Sequence, residues 1–298
     1  MFERLVWQLE NEPSLLEPGQ LRQRLEALDR LDAYLPDIPQ TDFGTGPNDA
    51  GLYRRARAIC GRLEAVNSEL YEAIRCEIQR GERPETLLRW IDSSSVVEEA
   101  ARPGSGAAGG PGGGMGYDYM DELVSGVFQF EDPGVEDVRR EAEMVFYQPT
   151  PARHIFSLIG LTALNDTDVL VDLGSGLGHV PLLVSACTRA RGIGIELEAA
   201  YVERAQQCAQ RLNLNMVTFL QQDARAADLS TGTVFYLYTP FVGSILSEVL
   251  NRLRREAATR RIRICTYGPC TSVVAEELWL EAAAAPEMDR IVLFRSRG

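Results

Sequence analysis

A glycine-rich turn follows the apolar stretch DVLVDLG and is the first candidate for a ligand site. The segment from Asp172 to His179 reads DLGSGLGH. Glycines at alternate positions let a backbone turn sharply and approach a ligand closely. The amides at the start of a following helix then point at the turn. The spacing predicts a strand, a tight turn and a helix, with the turn facing a ligand.

Three further loops follow apolar stretches of strand length. Glu196 ends the stretch GIGIE, 22 residues after Gly174, where an acid can accept hydrogen bonds from both ribose hydroxyls. Asp223 and Ala224 follow MVTFL, where an aspartate can meet an adenine amino group. Tyr238 ends VFYLY, ahead of a rigid Thr-Pro-Phe corner. Because ligands bind at the carboxyl ends of the strands in open α/β sheets, we expect these loops to form one site.

The spacing and charge of the turn favour one adenosine-bearing ligand over others. The dinucleotide fingerprint is GxGxxG, whereas the turn reads GxGxG with His179 where the last glycine would stand. Asp172 gives the site a negative rim, which would repel a pyrophosphate. S-adenosylmethionine carries a sulfonium and an ammonium and no phosphate. We therefore predict S-adenosylmethionine as the cofactor.

Composition excludes several other chemistries. All 30 basic residues among the 298 are arginine, so neither a Schiff-base lysine nor a P-loop lysine is present. The only histidines are His154 and His179, which argues against a multi-histidine metal site, and we predict no metal. The net charge of −13 argues against nucleic acid as a partner. His154 lies in an apolar helix and is expected to be structural.

Cysteine usage and hydropathy bear on the compartment. Six cysteines form no CxxC pair and lie mostly in apolar stretches, which is typical of reduced thiols in a cytosolic protein. No stretch approaches the ~20 apolar residues of a membrane span, and the N-terminal residues do not resemble a secretory signal. We expect a soluble cytoplasmic protein with no membrane partner.

The chain divides into three parts by pattern. Residues 103–116 read PGSGAAGGPGGGMG, the composition of a flexible linker. We expect an all-helical module over 1–102 and an α/β domain over 117–298. Strand and helix patterns alternate in the second part, which predicts a mainly parallel sheet with helices on both faces. Two apolar segments near the end predict a closing antiparallel hairpin.

The helical module contains one long amphipathic pattern. Apolar residues recur at steps of four and three from Leu52 to Leu70, with a helix start at Asn48 or Asp49 and a stop at Gly81. The stripe is short for a coiled coil. Packing within the chain is the favoured interpretation, and a homodimer through these helices is the alternative.

Taken together, VDLGSGLG, GIGIE, QQDA and the fourth-strand corner resemble the class I S-adenosylmethionine-dependent methyltransferase family. The resemblance covers about residues 140–298. It implies a Rossmann-like fold with a seven-stranded, mainly parallel sheet whose last strand is antiparallel.

A narrower resemblance is to the non-SET histone-lysine methyltransferases. In that family a Tyr-x-x-Thr loop closes over the cofactor, and Tyr147 and Thr150 match this loop. The glycine motif of the family ends in Gly-Gln, and this chain has His179 in place of the glutamine. The Asn-rich acceptor segment of the family is here Leu237-Tyr238-Thr239-Pro240-Phe241. We take this likeness as evidence for cofactor binding and not for a histone substrate.

The resemblance implies roles for individual residues. Gly174, Gly176 and Gly178 would shape the turn beside the methionine portion, and Asp172 would orient its amino acid group. Glu196 would hold the ribose, Asp223 and the Ala224 amide would bind adenine, and Tyr147 and Thr150 would cover the carboxylate or line the transfer channel. His179 either contacts the ligand or packs at the helix start.

Methyl transfer to an acceptor is therefore the predicted activity. Tyr238 opens the acceptor side and is the candidate catalytic residue, with aromatic wall packing as its alternative. The acceptor is a protein side chain or a small metabolite, between which the sequence does not choose. The alternatives from other classes are a non-catalytic scaffold that binds a protein partner and an aminopropyl transferase.

Overall fold

A computed structural model of the protein describes residues 1–35, 47–92, 116–131, 133–134, 143–145 and 147–297. Contacts divide the chain into two compact units, Met1–Ile74 and Arg75–Gly298. The predicted linker lies, apart from Gly116, outside the described residues, so the three-part division predicted above stays a prediction. Among the described residues, no helix is both long enough and apolar enough to span a membrane.

Helices make up the first unit. They are α1 (Phe2–Glu10), α2 (Leu21–Asp32) and most of α3 (Pro47–Gln79), with short 3-10 helices at Pro13–Leu16 and Pro18–Gln20. The predicted stripe on α3 is confirmed, because Ala56, Ile59 and Leu63 are buried in the core of this unit. The helix ends where predicted, since Gly81 adopts a φ of +75° that favours glycine. The homodimer stays a prediction.

The described residues of the second unit form one seven-stranded sheet with helices around it. The strands are β1 (Val169–Leu173), β2 (Arg191–Glu196), β3 (Val217–Gln221), β4 (Val234–Tyr238), β5 (Arg263–Tyr267), β6 (Leu280–Ala282) and β7 (Val292–Ser296). The helices are the end of α3, α4 (Glu85–Asp92), α5 (Tyr119–Phe128), α6 (Ala152–Thr162), α7 (His179–Cys187), α8 (Ala199–Arg211), α9 (Gly243–Ala257) and α10 (Cys270–Ala275).

The strand order is β3-β2-β1-β4-β5-β7-β6. Strands β1 to β5 pair in parallel, and β7 pairs antiparallel with both β5 and β6. The predicted seven-stranded, mainly parallel sheet with a closing antiparallel hairpin is therefore confirmed. All five residues of β1 are buried, as expected for a central strand covered on both faces.

The sequence pattern also predicts a helix over residues 135–147, and this is wrong at residues 143–145 and at residue 147. The residues 135–142 lie outside the described part of the chain. Met144 instead forms an isolated antiparallel bridge with Phe241, and the Val145 N–H donates to the Pro240 carbonyl at 3.2 Å. Pairing with the loop after β4 satisfies these backbone groups without a helix.

Candidate cofactor site

A cavity of about 340 Å³ opens at the carboxyl ends of the central strands. The chain leaves β1 toward β2 on one side, and β4 lies on the other side, so this is the topological switch point where open α/β sheets bind ligands. Nine of the eleven predicted site residues line the cavity. They are Tyr147, Thr150, Asp172, Gly174, His179, Glu196, Asp223, Ala224 and Tyr238.

The glycine turn brings the backbone to the cavity wall. Gly174, Gly176 and Gly178 have φ values of +92°, +50° and +80°, which residues with a Cβ rarely adopt. A Cβ on Gly176 would lie 2.0 Å from Cε2 of Tyr147. Gly176 is thus beside the site without lining it. Gly178 is the N-cap of α7, and its Cα lies against the Phe219 ring instead.

Asp172 ends β1 with a buried carboxyl group. The residue is 4% exposed, and none of the described residues hydrogen-bonds its side chain. Burial, and secondarily the negative charge of Glu196, raise the pKa of Asp172 well above its usual range. A buried carboxylate is stable only when a cation or hydrogen-bond donors compensate it. The cavity therefore has an unmatched acid that a cationic ligand would satisfy.

Glu196 ends β2 beside the turn, and backbone amides hold its carboxylate. Oε2 accepts from the Gly176 N–H at 2.8 Å. Oε1 accepts from the N–H groups of Leu197 at 2.7 Å and Glu198 at 3.0 Å. These bonds fix the acid against the glycine turn. One lone-pair site, on Oε2, remains for a hydroxyl donor of a ligand.

Asp223 lies at the cavity but is paired with a neighbour in the chain. Nη2 of Arg225 contacts its Oδ2 at 2.7 Å, and this hydrogen-bonded guanidinium lowers the pKa of Asp223. Arg252 on α9 donates to the carbonyls of Ala224, Arg225 and Ala227. The loop after β3 is thus held in place by arginines, with Ala224 buried at the cavity wall.

His179 contacts Tyr147 rather than a carboxylate. Nδ1 of His179 lies 3.2 Å from the Tyr147 hydroxyl, and the Phe130 ring stacks on the imidazole with centroids 3.6 Å apart. Burial lowers the pKa of His179 to about 3 and raises the pKa of Tyr147. Both groups are neutral near pH 7, and the imidazole tautomer sets which of them donates.

Aromatic rings form the side of the site beyond β4. The rings of Tyr238 and Tyr267 have centroids 4.7 Å apart, and His154 lies 4.3 Å from Tyr267 on its other side. Burial raises the pKa of Tyr238 to about 12 and lowers that of His154, with help from Arg153, to about 3. His154 is 5% exposed, in agreement with the structural role predicted for it.

Sequence reasoning missed several residues of the cavity wall, among them Tyr236 and Ser175. The Tyr236 hydroxyl and the Thr150 Oγ1 are buried and lie 2.9 Å apart. Tyr236 precedes Tyr238 by two positions on β4, so the alternation of side chains along a strand could have placed both on one face. Ser175 is 6% exposed, and its Oγ has no hydrogen-bond partner among the described residues. Its position inside the glycine turn was the available signal.

Comparison with known proteins points to one class. Residues 143–233 match the model of a family described as histone methylation protein DOT1. The match covers less than half of the chain. It includes the 147–151 loop, the glycine turn, Glu196 and the loop after β3. The comparison with curated proteins gives no match.

Several solved structures that resemble the chain are methyltransferases by name. An RNA methyltransferase from Salinibacter ruber, in complex with S-adenosyl-L-homocysteine, is 24% identical over 50% of this chain and 92% of that one, with a TM-score of 0.40. A SAM-dependent methyltransferase from Aquifex aeolicus is 16% identical over 48% and 88%, with a TM-score of 0.38. These scores are low and carry no further conclusion.

The strand order, the position of the cavity and the family match define the class. The second unit has the fold of the class I S-adenosylmethionine-dependent methyltransferases, and residues 143–233 match a histone methylation family.

Proposed function

We propose that the chain binds S-adenosylmethionine in this cavity and transfers its methyl group to an acceptor on the Tyr238 side. The observation that carries the proposal is the buried carboxyl of Asp172, which faces the cavity beside the glycine turn and lacks a partner among the described residues. An anionic pyrophosphate would meet the charges of Asp172 and Glu196 unfavourably. A cationic cofactor would be attracted to both.

The residues present fit this cofactor. Asp172 would hold the ammonium group, Glu196 the ribose, and the Ala224 N–H with Asp223 the adenine. The unpartnered Ser175 Oγ gives a further polar contact at the turn. When bound, the cofactor supplies an electrophilic methyl group on a sulfonium. Because the sulfur leaves as a neutral thioether, the chain has no leaving group to protonate.

The residues of the chain position the acceptor and exclude water. Tyr238, Tyr267 and His154 do not accept a proton near pH 7: burial raises the pKa of both tyrosines, and the pKa of His154 lies near 3. Within the described part of the chain, this aromatic wall therefore has no general base. We infer that the acceptor nucleophile presents a free lone pair, having lost any proton to water, and that Tyr238 orients it.

Calorimetric titration with S-adenosylmethionine tests the proposal. We expect binding to the full chain, and a 10- to 150-fold weaker affinity for Glu196→Ala, since loss of a hydrogen bond to a charged group costs about 1.5–3 kcal/mol. Glu203→Ala, which removes an exposed acid on α8, is the control and should bind like the wild type. Absence of binding at millimolar cofactor would favour the scaffold alternative.

A second prediction concerns the contact between Tyr147 and His179. His179→Leu and Tyr147→Phe should each weaken cofactor affinity by about 5-fold, since each removes the same neutral hydrogen bond of about 1 kcal/mol. The double variant should be no worse than either single one, because the two changes share one interaction. His179→Gln should recover most of the loss, since its amide oxygen can accept from the hydroxyl. Additive losses would contradict this pairing.

Several finer predictions accompany the proposal. They are a protein side chain or small metabolite as acceptor, no nucleic acid partner, a cytoplasmic location and a homodimer through the N-terminal helices. Incubating labelled cofactor with a lysate and identifying the labelled product would identify the acceptor class. Decarboxylated cofactor in the same assay separates methyl transfer from the aminopropyl transferase alternative.

A further inference from the structure

The 147–151 loop, which contributes Tyr147 and Thr150 to the cavity wall, is anchored to the start of α5. The Tyr117 hydroxyl donates to the Pro149 carbonyl at 2.7 Å. Directly after the loop, the Ala152 N–H donates to Oδ1 of Asp121 at 2.7 Å. Both anchoring residues precede the region matched by the family model, residues 143–233. They are therefore a feature of this chain that the match does not describe.

A single carboxylate serves two helix starts at this point. Oδ2 of Asp121 accepts from the Asp118 N–H at 2.7 Å and completes a capping box on α5. Its Oδ1 accepts from Ala152, the first residue of α6. Pro151, the residue before that helix, donates no N–H and forms no side-chain cap. Asp121 thus supplies the cap that α6 lacks locally, and it does so from another helix.

We propose that Asp121 is a positioning residue for the cofactor site, which holds the 147–151 loop against the cavity while it is ionised and releases the loop when it is protonated. The inference rests on the proposed function, because its readout is the affinity for the cofactor. An ionised carboxylate accepts from both N–H groups with charge-assisted bonds. A protonated one carries a hydrogen on one oxygen and loses one of the two bonds.

The surroundings of Asp121 make this change accessible near neutral pH. Burial raises the pKa of Asp121 to about 6, although the N–H groups of Ala152 and Asp118 oppose the shift. The other groups that face it are the Asp118 carboxylate, the Arg153 guanidinium, and the hydroxyls of Tyr117 and Tyr267. Burial raises the pKa of both tyrosines, so they stay neutral, and arginine stays charged. Cofactor affinity should fall as the pH drops below about 6.

The variant Asp121→Asn is a permanent mimic of the protonated acid, with one acceptor and one donor. We expect it to bind S-adenosylmethionine about 10-fold more weakly than the wild type at pH 7.5. At pH 5 the two affinities should converge, since the wild-type carboxyl is then protonated as well. Asp172 also titrates, but it is present in both proteins, so the ratio of the two affinities isolates Asp121.

Calorimetry at pH 5, 6, 7 and 8 tests the proposal on the full chain. Asp166→Asn, an exposed aspartate at the opposite end of β1, is the matched control and should track the wild type at every pH. If the ratio of the wild-type cofactor affinity to that of Asp121→Asn did not change with pH, or were one at every pH, the positioning role of Asp121 would be overturned. If the wild type itself fails to bind, the proposed function fails, which is a different result.

A second variant keeps the test decisive if Asp121→Asn does not fold. Tyr117→Phe removes the bond to the Pro149 carbonyl without removing a charge. We expect it to lower cofactor affinity by about 3-fold at every pH, with circular dichroism unchanged. The wild type should retain an inflection in affinity near pH 6. Unchanged affinity of Tyr117→Phe, together with no wild-type inflection, would refute the anchoring role.

Discussion

Asp172→Asn is expected to weaken S-adenosylmethionine binding by two to three orders of magnitude and, at the same time, to stabilise the free protein. Removing one partner of a buried ion pair costs about 3–5 kcal/mol, and the cofactor ammonium would be the missing partner of Asp172. In the free protein the same carboxyl is buried without a partner among the described residues. A neutral amide avoids that cost.

The ionisation of Asp172 gives the folding stability of the free protein a pH dependence of definite sign. An unfolded aspartate has a pKa of about 3.9, and burial raises the pKa of Asp172 in the folded protein. As the pH rises above 4, the unfolded chain releases this proton first, so the folding stability of the wild type declines. Asp172→Asn should remove this decline. Binding of a cation to Asp172 should release a proton, so the calorimetric heat should depend on the ionisation enthalpy of the buffer.

Asp168→Asn is a matched control just before the same strand. Asp168 is also buried, but it accepts from Thr233 Oγ1 at 2.8 Å and pairs with Arg263 at 2.5 Å. Burial opposes its ionisation, yet Thr233, the Asn165 N–H and Arg263 together lower its pKa. Its stabilising contribution is present above pH 4 and is lost as the pH falls. We expect this variant to lose about 2–3 kcal/mol of stability with normal cofactor affinity.

If Asp172→Asn and Asp168→Asn had equal effects on stability and on cofactor affinity, the assignment of Asp172 as the partner of the cofactor ammonium would be contradicted. Thermal unfolding of the free proteins and calorimetry with the cofactor provide the two measurements. The predicted pattern is opposite for the two positions: stability rises and affinity falls for Asp172, whereas stability falls and affinity holds for Asp168. A loss of stability in Asp172→Asn would mean that the carboxylate has a protein partner.

Arg24→Leu is expected to destabilise the N-terminal unit by about 3–4 kcal/mol. Arg24 is fully buried, and its Nε donates to Oδ1 of Asn67 at 2.6 Å. Its other nitrogens donate to the carbonyls of Leu15 at 3.1 Å and Pro18 at 3.3 Å, and to that of Glu17. Leucine would leave these buried acceptors unsatisfied, at about 1–3 kcal/mol for each group that water cannot reach.

Lysine should not replace Arg24, because a single ammonium cannot reach acceptors on both sides of a planar guanidinium. Arg22→Ala is the control on the same helix. Its side chain is exposed and pairs at the surface with Glu26, so we expect a change below about 0.5 kcal/mol. The change in stability of Arg24→Leu and of Arg22→Ala is measured by urea unfolding followed by circular dichroism, together with hydrogen exchange of the α2 amides. A loss below about 1 kcal/mol for Arg24→Leu would show that water satisfies these carbonyls.

Much of the fold could be predicted because its pattern is local. Alternation of apolar stretches with amphipathic ones identified β1 to β5 and the helices between them. The positions of Asp172, Glu196 and Asp223 followed, since residues after parallel strands meet at one edge. The short helix α10 and the bridge at Met144 were not predicted. Their backbones are organised by contacts with the loop after β4, and such long-range contacts leave no local pattern in the sequence.

The charges at the site show where local pattern stops being informative. Sequence placed three acids at the cavity without showing which of them would have partners in the protein. In the structure Asp172 has no partner among the described residues, Glu196 is held by backbone amides, and Asp223 is paired with Arg225. Only Asp172 is therefore available as an unpaired acid that a cation can ionise. The three acids differ in burial and in hydrogen-bond partners, although all three are carboxylic acids at or just after the ends of strands.

Sequence by itself determined the order of elements, the glycine turn and the edge at which the ligand site lies, because these depend on residues close together in the chain. Tertiary structure alone decided which side chains pair with one another around the ligand site. His179 contacts Tyr147, Thr150 contacts Tyr236, and Asp121 caps α6. These partners are about 30 to 90 residues apart in the chain. Their proximity, and the burial that sets their protonation, arise only when the helices pack on the sheet.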